Sequence, residues 1–231
     1  MYYMPYRLWL SMITQQGGKT IENNKFVYGE AGQKAMEAMA RWYADGYATK
    51  GLDYASSTTE FMTGKSAFML NGVWEVPSVN DGMKGGRLGF EVGVASLPSF
   101  FNGVQAAWAD SHALAIPNNK GKPISAEKMK GVARFATYIN QHAITWAEGG
   151  HIPAYEPVVE TKEFKEMPLL ADYVSNTASH IVYDPDGWYS GAAGPLQATA
   201  SKYFPAALTG QLPTEKALQM FERDAGKFMS R

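Results

Sequence analysis

The stretch FMTGKSAFMLNGVWEVP, residues 61–77, is the most informative segment for the fold of this chain. Its apolar run, residues 67–70, ends at Asn71-Gly72, and Trp74 follows two residues later. Asn and Gly both tolerate positive φ, so the pair breaks regular structure. The pattern predicts a buried strand over residues 66–70, with Trp74 on the turn after it or on the first turn of a helix. Because open α/β sheets hold ligands at the carboxyl ends of their strands, Trp74 is the first candidate for ligand contact.

Composition excludes several classes of function. The 231 residues carry a formal net charge of -1 and contain no basic run longer than two residues, which argues against nucleic acid or an anionic membrane as partner. Cysteine is absent, so the chain has no disulfide, thiolate metal site or cysteine nucleophile. No stretch approaches about 18 consecutive apolar residues. The length suffices for one large domain or two small ones.

Periodicity and breakers predict a helix-rich chain with few strands. The second predicted helix places Ala35, Met36 and Met39 on one face, and Ser125 is the predicted N-cap of a long helix. Three strands are thin for so many helices, and the chain opens directly on a helix, so we expect it to be part of something longer. Helices are predicted over residues 5–16, 30–46, 60–63, 74–81, 125–148, 164–179, 195–208 and 213–230, and strands over 66–70, 88–96 and 106–116.

The motifs that would indicate an enzyme or a metal site are weak. Residues 63–66, TGKS, lack the glycine that a phosphate-binding loop needs five residues earlier, and Thr59 stands there. The four histidines lack metal-ligand spacing, so no metal and no cofactor are expected. Asp110, Ser111 and His112 are adjacent, but neighbours in an extended run point in alternating directions and do not assemble a triad.

Several segments, in order along the chain, resemble the family 1 extracellular solute-binding proteins of ABC importers, the group of the maltose-binding and glycerol-3-phosphate-binding proteins. Residues 61–74 resemble that family's pattern ending in Asn-Gly-x-Trp, and residues 9–18 resemble the segment before its amphipathic helix. Residues 93–98, GVASLP, resemble the strand after the tryptophan turn. Residues 109–116 match a small-residue strand, and residues 150–153, GHIP, match a Gly-x-hydrophobic-Pro turn. The order and spacing hold over nearly the whole chain.

The resemblance implies an α/β, periplasmic-binding-protein-like (type II) fold, mainly its C-terminal lobe, helix-rich with a small sheet. Residues 1–104 would form the first part of that lobe and residues 164–231 its closing helices. Residues 105–163 would belong to the N-terminal lobe of an intact family member. Such a protein is non-catalytic, holds a small solute between two lobes and delivers it to ABC permease subunits. It is periplasmic or extracellular and membrane-anchored, although this chain contains no signal.

The same resemblance matches Trp74 to the family's cleft aromatic and Asn71-Gly72 to its supporting turn. Sugars stack their C–H faces on aromatic rings and need a few placed polar partners, so the expected ligand is a carbohydrate. The near-zero charge suits a neutral ligand, although Arg7 could serve a phosphorylated one. From the residues alone, Trp9 and Trp188 could equally line a core or a cleft. The predicted ligand-binding residues are Trp74, Asn71, Gly72, Trp9, Asp110, Ser111, Trp188 and Gln197.

Two other interpretations remain open at the level of the sequence. One is a carbohydrate-active hydrolase that uses Asp110 with Glu75 or Asp184 as acid and base. The other is a structural or interaction domain in which the aromatic side chains all pack in cores.

Overall fold

A computed structural model describes residues 4–117, 121–176 and 180–229. The described residues form helices and short strands in the following order along the chain: α1 Met4–Gln15, β1 Ile21–Glu22, β2 Lys25–Phe26, α2 Gly29–Ala44, α3 Tyr54–Met62, a 3₁₀ turn Val73–Glu75, α4 Val76–Lys84, β3 Ala106–Trp108, α5 Ala126–Gln141, α6 Ile144–Glu148, α7 Glu156–Val159, α8 Lys162–Lys165, α9 Leu170–Ser175, β4 His180–Val182, α10 Pro195–Leu208 and α11 Thr214–Met229. Within these residues no helix is both long and apolar enough to cross a membrane.

The chain divides into two compact units. The first comprises Met1–Leu70, Ser96–Asp110 and Ala178–Arg231, and the second comprises Asn71–Ala95 and Ser111–Thr177. These boundaries differ from the predicted division at residues 104 and 163, chiefly because Asn71–Ala95 packs with the second unit. The assignment of either unit to a lobe of an intact family member stays a prediction.

The first unit is built on four helices, α1, α2, α10 and α11, around an aromatic core. Trp9 is fully buried there, with its ring centroid 5.4 Å from that of Phe204 and 5.8 Å from that of Phe221. Its indole Nε1 donates to the carbonyl of Gly32 at 2.8 Å, which satisfies a polar group that burial would otherwise leave unpaired. Along α11 the buried residues recur at helical spacing and form one apolar stripe, Ala217, Leu218, Phe221, Ala225 and Met229.

Two small sheets accompany these helices. β1 and β2 form an antiparallel hairpin through Asn23 and Asn24, both at positive φ. β3 and β4 pair in parallel, with Ala106 opposite His180 and Trp108 opposite Val182. The sequence predicted neither β1 and β2 nor β4, because two or three residues are too few to show a period.

The second unit contains the 3₁₀ turn, α4 and the helices α5 to α9, of which α5 is the longest. The predicted helix over residues 125–148 is two helices, α5 and α6, separated at His142 and Ala143. Ser125 caps α5 as predicted, since its hydroxyl accepts from the backbone N–H of Lys128. None of the residues of α5 is buried.

Two predicted strands are absent, and this corrects the strand placement. Residues 66–70 form no ladder with another described segment, and Phe68 is 89% exposed, so the predicted buried strand there is wrong. Residues 88–96 keep the alternation, with Phe90, Val92 and Val94 half-buried, yet they also pair with no described strand. A strand requires a second chain segment to satisfy its N–H and C=O groups, and alternation alone does not supply one.

Candidate ligand-binding site

The carboxyl ends of β3 and β4 bring polar and aromatic side chains together in the first unit. Trp108 is the last residue of β3, and Asp110 comes two residues later. β4 ends at Val182, and Asp184 follows it. Because the two strands are parallel, the residues after each strand emerge at the same edge, where open α/β folds bind ligands.

Trp108 is held from two sides at this edge. Its indole Nε1 donates to Oδ2 of Asp184 at 2.7 Å. The guanidinium carbon of Arg7, on α1, lies 4.1 Å from the centroid of the Trp108 ring, which is cation–π geometry. The Nε of Arg7 also donates to Oε1 of Gln197, at the start of α10, at 3.4 Å. We call Arg7, Trp108, Asp110, Asp184 and Gln197 the carboxyl-edge cluster.

Buried polar side chains of α1 fix the strand beneath this cluster. The Oγ of Ser11 accepts from the backbone N–H of Trp108 at 2.8 Å. The amide of Gln15 donates to the carbonyls of Ala106 and Pro98, and its Oε1 accepts from the N–H of Phe100. Helix α1 therefore supplies the hydrogen bonds that a wider sheet would otherwise give to β3.

Asp184 is the electrostatic centre of the cluster. Burial raises its pKa, and the negative charge of Asp110 acts in the same direction, whereas the Trp108 hydrogen bond and the Arg7 charge act in the opposite one. Tyr6 lies against Asp184, and burial followed by the charge of Asp184 raises the pKa of its phenol well above its ordinary value. The Oη of Tyr6 and the Oδ1 of Asp184 are both buried, and the interaction of the phenol with the carboxylate lowers the pKa of Asp184 against the effect of burial.

Asp110 is exposed at the rim of the cluster. Its Oδ2 accepts from the backbone N–H of Ala192 at 3.1 Å, which ties the loop between β4 and α10 to the end of β3. Within that loop the hydroxyl of Ser190 donates to the carbonyl of Pro185. The loop contains the predicted candidate Trp188, which is 65% exposed and packs edge-on against Phe228.

The structure separates the predicted ligand-binding residues of the first unit into three groups. Asp110 and Gln197 lie in the carboxyl-edge cluster, although Gln197 is itself buried. Trp188 is exposed, and its ring packs edge-on against Phe228 and Tyr189, neither of which belongs to the cluster. Trp9 is buried in the core with its Nε1 bonded, so the core interpretation of Trp9 describes this structure and no face of its ring is open to a ligand.

The remaining predicted residues lie in the second unit. The Oδ1 of Asn71 accepts from the N–H of Gly72 at 2.8 Å, and its Nδ2 donates to Glu75 at 3.4 Å. Trp74 is half-buried on the 3₁₀ turn, and its ring covers Gly72 so closely that a Cβ there would lie 2.1 Å from the ring. A side chain at position 72 would therefore displace the Trp74 ring. Ser111 is exposed, and its hydroxyl donates to the carbonyl of His112.

The second unit also contains a ring cluster that the sequence did not indicate. The rings of Trp146 and His151 stack with centroids 4.9 Å apart, and His112 meets His151 edge-on at 4.7 Å. Burial, followed by the charge of His112, lowers the pKa of His151. In the described part of the chain, no group of three or more His, Cys, Asp or Glu side chains is arranged to hold a metal ion.

Sequence reasoning missed Trp108 as a site residue and named Asp184 only as a possible acid or base of a hydrolase. Their contact joins positions 76 residues apart, and only the pairing of β3 with β4 creates it. The available signal was the polar sequence after each short strand, but β4 was not recognisable as a strand.

The comparisons with known proteins identify the class of this protein. A family model described as bacterial extracellular solute-binding protein matches residues 1–172, and the chain belongs to that family. No curated protein sequence matches it. This confirms the predicted membership among extracellular solute-binding proteins.

Solved structures confirm the fold. The chain is similar to the crystal structure of the cyclic alpha-maltosyl-1,6-maltose binding protein from Arthrobacter globiformis, with a TM-score of 0.67 and 17% identity over 96% of this chain and 55% of that one. It is also similar to a periplasmic-binding protein from Synechococcus sp. MITs9220, with a TM-score of 0.61 and 16% identity over 96% of this chain and 58% of that one. The fold is therefore periplasmic-binding-protein-like, and the chain spans little more than half the length of these structures.

Proposed function

We propose that the protein captures a carbohydrate for delivery to the permease subunits of an ABC importer, without catalysis. The observation that carries the proposal is the carboxyl-edge cluster, where the ends of two parallel strands bring together an indole, a guanidinium and the exposed carboxylate of Asp110. Sugars need both an aromatic surface and a few fixed polar partners. The solute-binding family supports the general role, and the maltosyl-maltose binding protein among the similar structures supports a carbohydrate as ligand.

In this proposal the protein acts in the periplasm or outside the cell, anchored to the membrane as a full-length protein. The ligand is enclosed between the lobes of that intact protein. Trp74 and Asn71 with Gly72 remain proposed contacts, because the half-buried ring and the bonded turn suit a platform beside a ligand. Trp188 and Ser111 remain proposed contacts on account of their exposure.

The test is ligand-observed NMR and calorimetry with maltose, maltotriose and maltotetraose. The variant is Asp110→Asn, which keeps an oxygen to accept from the N–H of Ala192. The matched control is Asp45→Asn, which removes the same charge from the end of α2, where Asp45 pairs with Arg41. Binding that weakens in Asp110→Asn and not in the control supports the proposal. Absence of binding to all three at tens of millimolar, which is at least about 1.4 kcal/mol weaker than a millimolar complex, contradicts it.

A hydrolase is a second candidate because Asp184, with its raised pKa, interacts with the carboxylate of Asp110. Paired carboxylates of unequal pKa perform general acid–base catalysis in glycosidases. Against this, Oδ1 of Asp184 is buried and Oδ2 is held by Trp108, so neither oxygen is presented to a substrate. Glu75, the other proposed partner, belongs to the second unit and is buried. Release of chromophore from a panel of nitrophenyl glycosides, lost in Asp110→Asn, would favour the hydrolase.

A further inference from the structure

The carboxyl-edge cluster contains more negative than positive charge. Asp110 and Asp184 contribute two carboxylates, and Arg7 contributes one guanidinium. Asp110 is the exposed carboxylate of the two, whereas Asp184 is half-buried and accepts a hydrogen bond from Trp108. A ligand that approaches this edge therefore meets the charge of Asp110 first.

The guanidinium of Arg7 is already engaged. It lies over Trp108 at 4.1 Å, and its Nε donates to Gln197. Its charge also acts on Asp184, where it opposes the effect of burial. An anionic ligand would have to draw Arg7 away from these partners, and it would bring its own charge close to Asp110.

A second observation concerns the buried side of the cluster. Tyr6, a residue that is 1% exposed, faces the cluster through its interaction with Asp184. The Oδ1 of Asp184 is buried, and its Oδ2 accepts from Trp108. Asp184 is therefore occupied within the protein, and Asp110 is the carboxylate of the cluster that a ligand can reach.

From this arrangement we infer that Asp110 sets the charge selectivity of the site, which takes hydroxyl-rich carbohydrates, prefers those that carry amino groups and rejects those that carry phosphate or carboxylate. The inference rests on the proposed function and adds the class of carbohydrate to it. Bringing like charges together is unfavourable, and specificity arises from such repulsion of a wrong ligand as well as from contacts with the right one. The charge of Asp110 therefore makes a phosphorylated ligand unfavourable, although the charge of Arg7 alone would allow one.

The experiment compares three trisaccharides of different charge: the glucosamine trimer, maltotriose and trigalacturonate. Dissociation constants are measured by ligand-observed NMR at low and at high salt, on the wild-type chain, on Asp110→Asn and on the control Asp45→Asn. We expect the wild type to bind the glucosamine trimer tightest and trigalacturonate weakest. The spread, meaning the ratio of the weakest to the tightest dissociation constant, should be about ten-fold or more at low salt. It should be narrower at high salt, where dissolved ions screen the charge of Asp110.

Asp110→Asn should compress that spread several-fold, and Asp45→Asn should leave it unchanged. If Asp110 had only a structural role, its replacement would weaken the binding of all three ligands equally and leave the ratio of their dissociation constants unchanged. This ratio therefore distinguishes a structural role from charge selectivity. Equal binding of the three, tightest binding of trigalacturonate, or an unchanged spread in Asp110→Asn overturns the inference while the proposed function stands. Binding of none of the three overturns the proposed function and the inference with it.

Discussion

The indole Nε1 of Trp108 donates a 2.7 Å hydrogen bond to Oδ2 of Asp184, and this bond joins the ends of the two parallel strands. Hydrogen bonds to charged groups contribute about 1.5–3 kcal/mol, more than neutral ones. The same bond orients the indole over which Arg7 lies. Asp184 is in this sense a positioning residue for Trp108.

Asp184→Ala should therefore destabilise the protein by about 1–3 kcal/mol, because the indole N–H loses its acceptor in a part-buried site. Asp184→Asn should cost less, since its amide oxygen can still accept from Trp108. Urea unfolding at neutral pH measures both changes, and near-ultraviolet circular dichroism reports the order of the indole. Equal costs for the two variants would mean that the charge rather than the hydrogen bond is what matters.

The pH dependence of stability should have opposite signs at two aspartates. Burial raises the folded-state pKa of Asp184, so the folded state binds more protons than the unfolded state between the ordinary and the raised value. The contribution of Asp184 to stability is then complete below its ordinary pKa, and it is lost as pH rises through its folded-state pKa. Relative to wild type, Asp184→Asn should gain stability as pH rises through that window.

Asp224 provides the contrast. The hydrogen bond from Lys227, at 2.7 Å, with those from Tyr203 and Arg223, lowers its pKa, so its contribution is present above the ordinary value and is lost as pH falls. The free energy of unfolding of Asp224→Asn should be lower than that of wild type near neutral pH. This difference should shrink as the solution is acidified from about pH 4 to about pH 2. Unfolding free energies measured across about pH 2 to about pH 7 test both signs. The same slope for both variants would contradict the assigned environments.

Local signals predicted the longer helices well, and non-local pairing limited the strands. The single helix predicted over residues 164–179 is instead two short helices, α8 and α9, and residues 177–179 lie outside the described residues. The bounds of α10, Pro195–Leu208, follow from a proline at the first helical position and a breaker at Gly210, both readable in sequence. The run at residues 66–70 has strand composition, but nothing local supplies its partner, and Phe68 stays exposed. The cluster was hidden for the same reason, since Trp108 and Asp184 meet only through the strand pair β3 and β4.

Trp74 should tolerate truncation better than a core tryptophan. It is half-buried on a 3₁₀ turn, whereas Trp9 is fully buried among four helices. Trp9→Ala should cost about 3–5 kcal/mol, the usual range for a core aromatic, and Trp74→Ala should cost well under that. Thermal and urea unfolding of the two variants measure the difference. A cost for Trp74→Ala equal to that for Trp9→Ala would place Trp74 in a core and remove it from the proposed contacts.

Helix α5 should promote self-association at high protein concentration. Met129, Val132, Phe135, Ala136 and Ile139 share one face of the helix, and Phe135 is 62% exposed. Exposed apolar patches of this kind drive association. We expect Phe135→Glu to lower the association measured by sedimentation velocity, whereas Arg134→Glu, at the neighbouring position outside the apolar face, serves as the matched control. A concentration-independent monomer in the wild-type chain would refute this expectation.

The affinity of these 231 residues alone should be low. A binding site must bury most of its ligand to offset the lost translational and rotational freedom, and open sites seldom do so. The carboxyl-edge cluster has Asp110 exposed at its rim, and the chain spans 55–58% of the length of the binding proteins that it resembles. We therefore expect carbohydrate dissociation constants of about 1 mM or weaker, equivalent to about 4 kcal/mol or less. Calorimetry with maltose and its longer homologues measures these constants. Micromolar affinity in the 231 residues would instead show that they form a complete binding site by themselves.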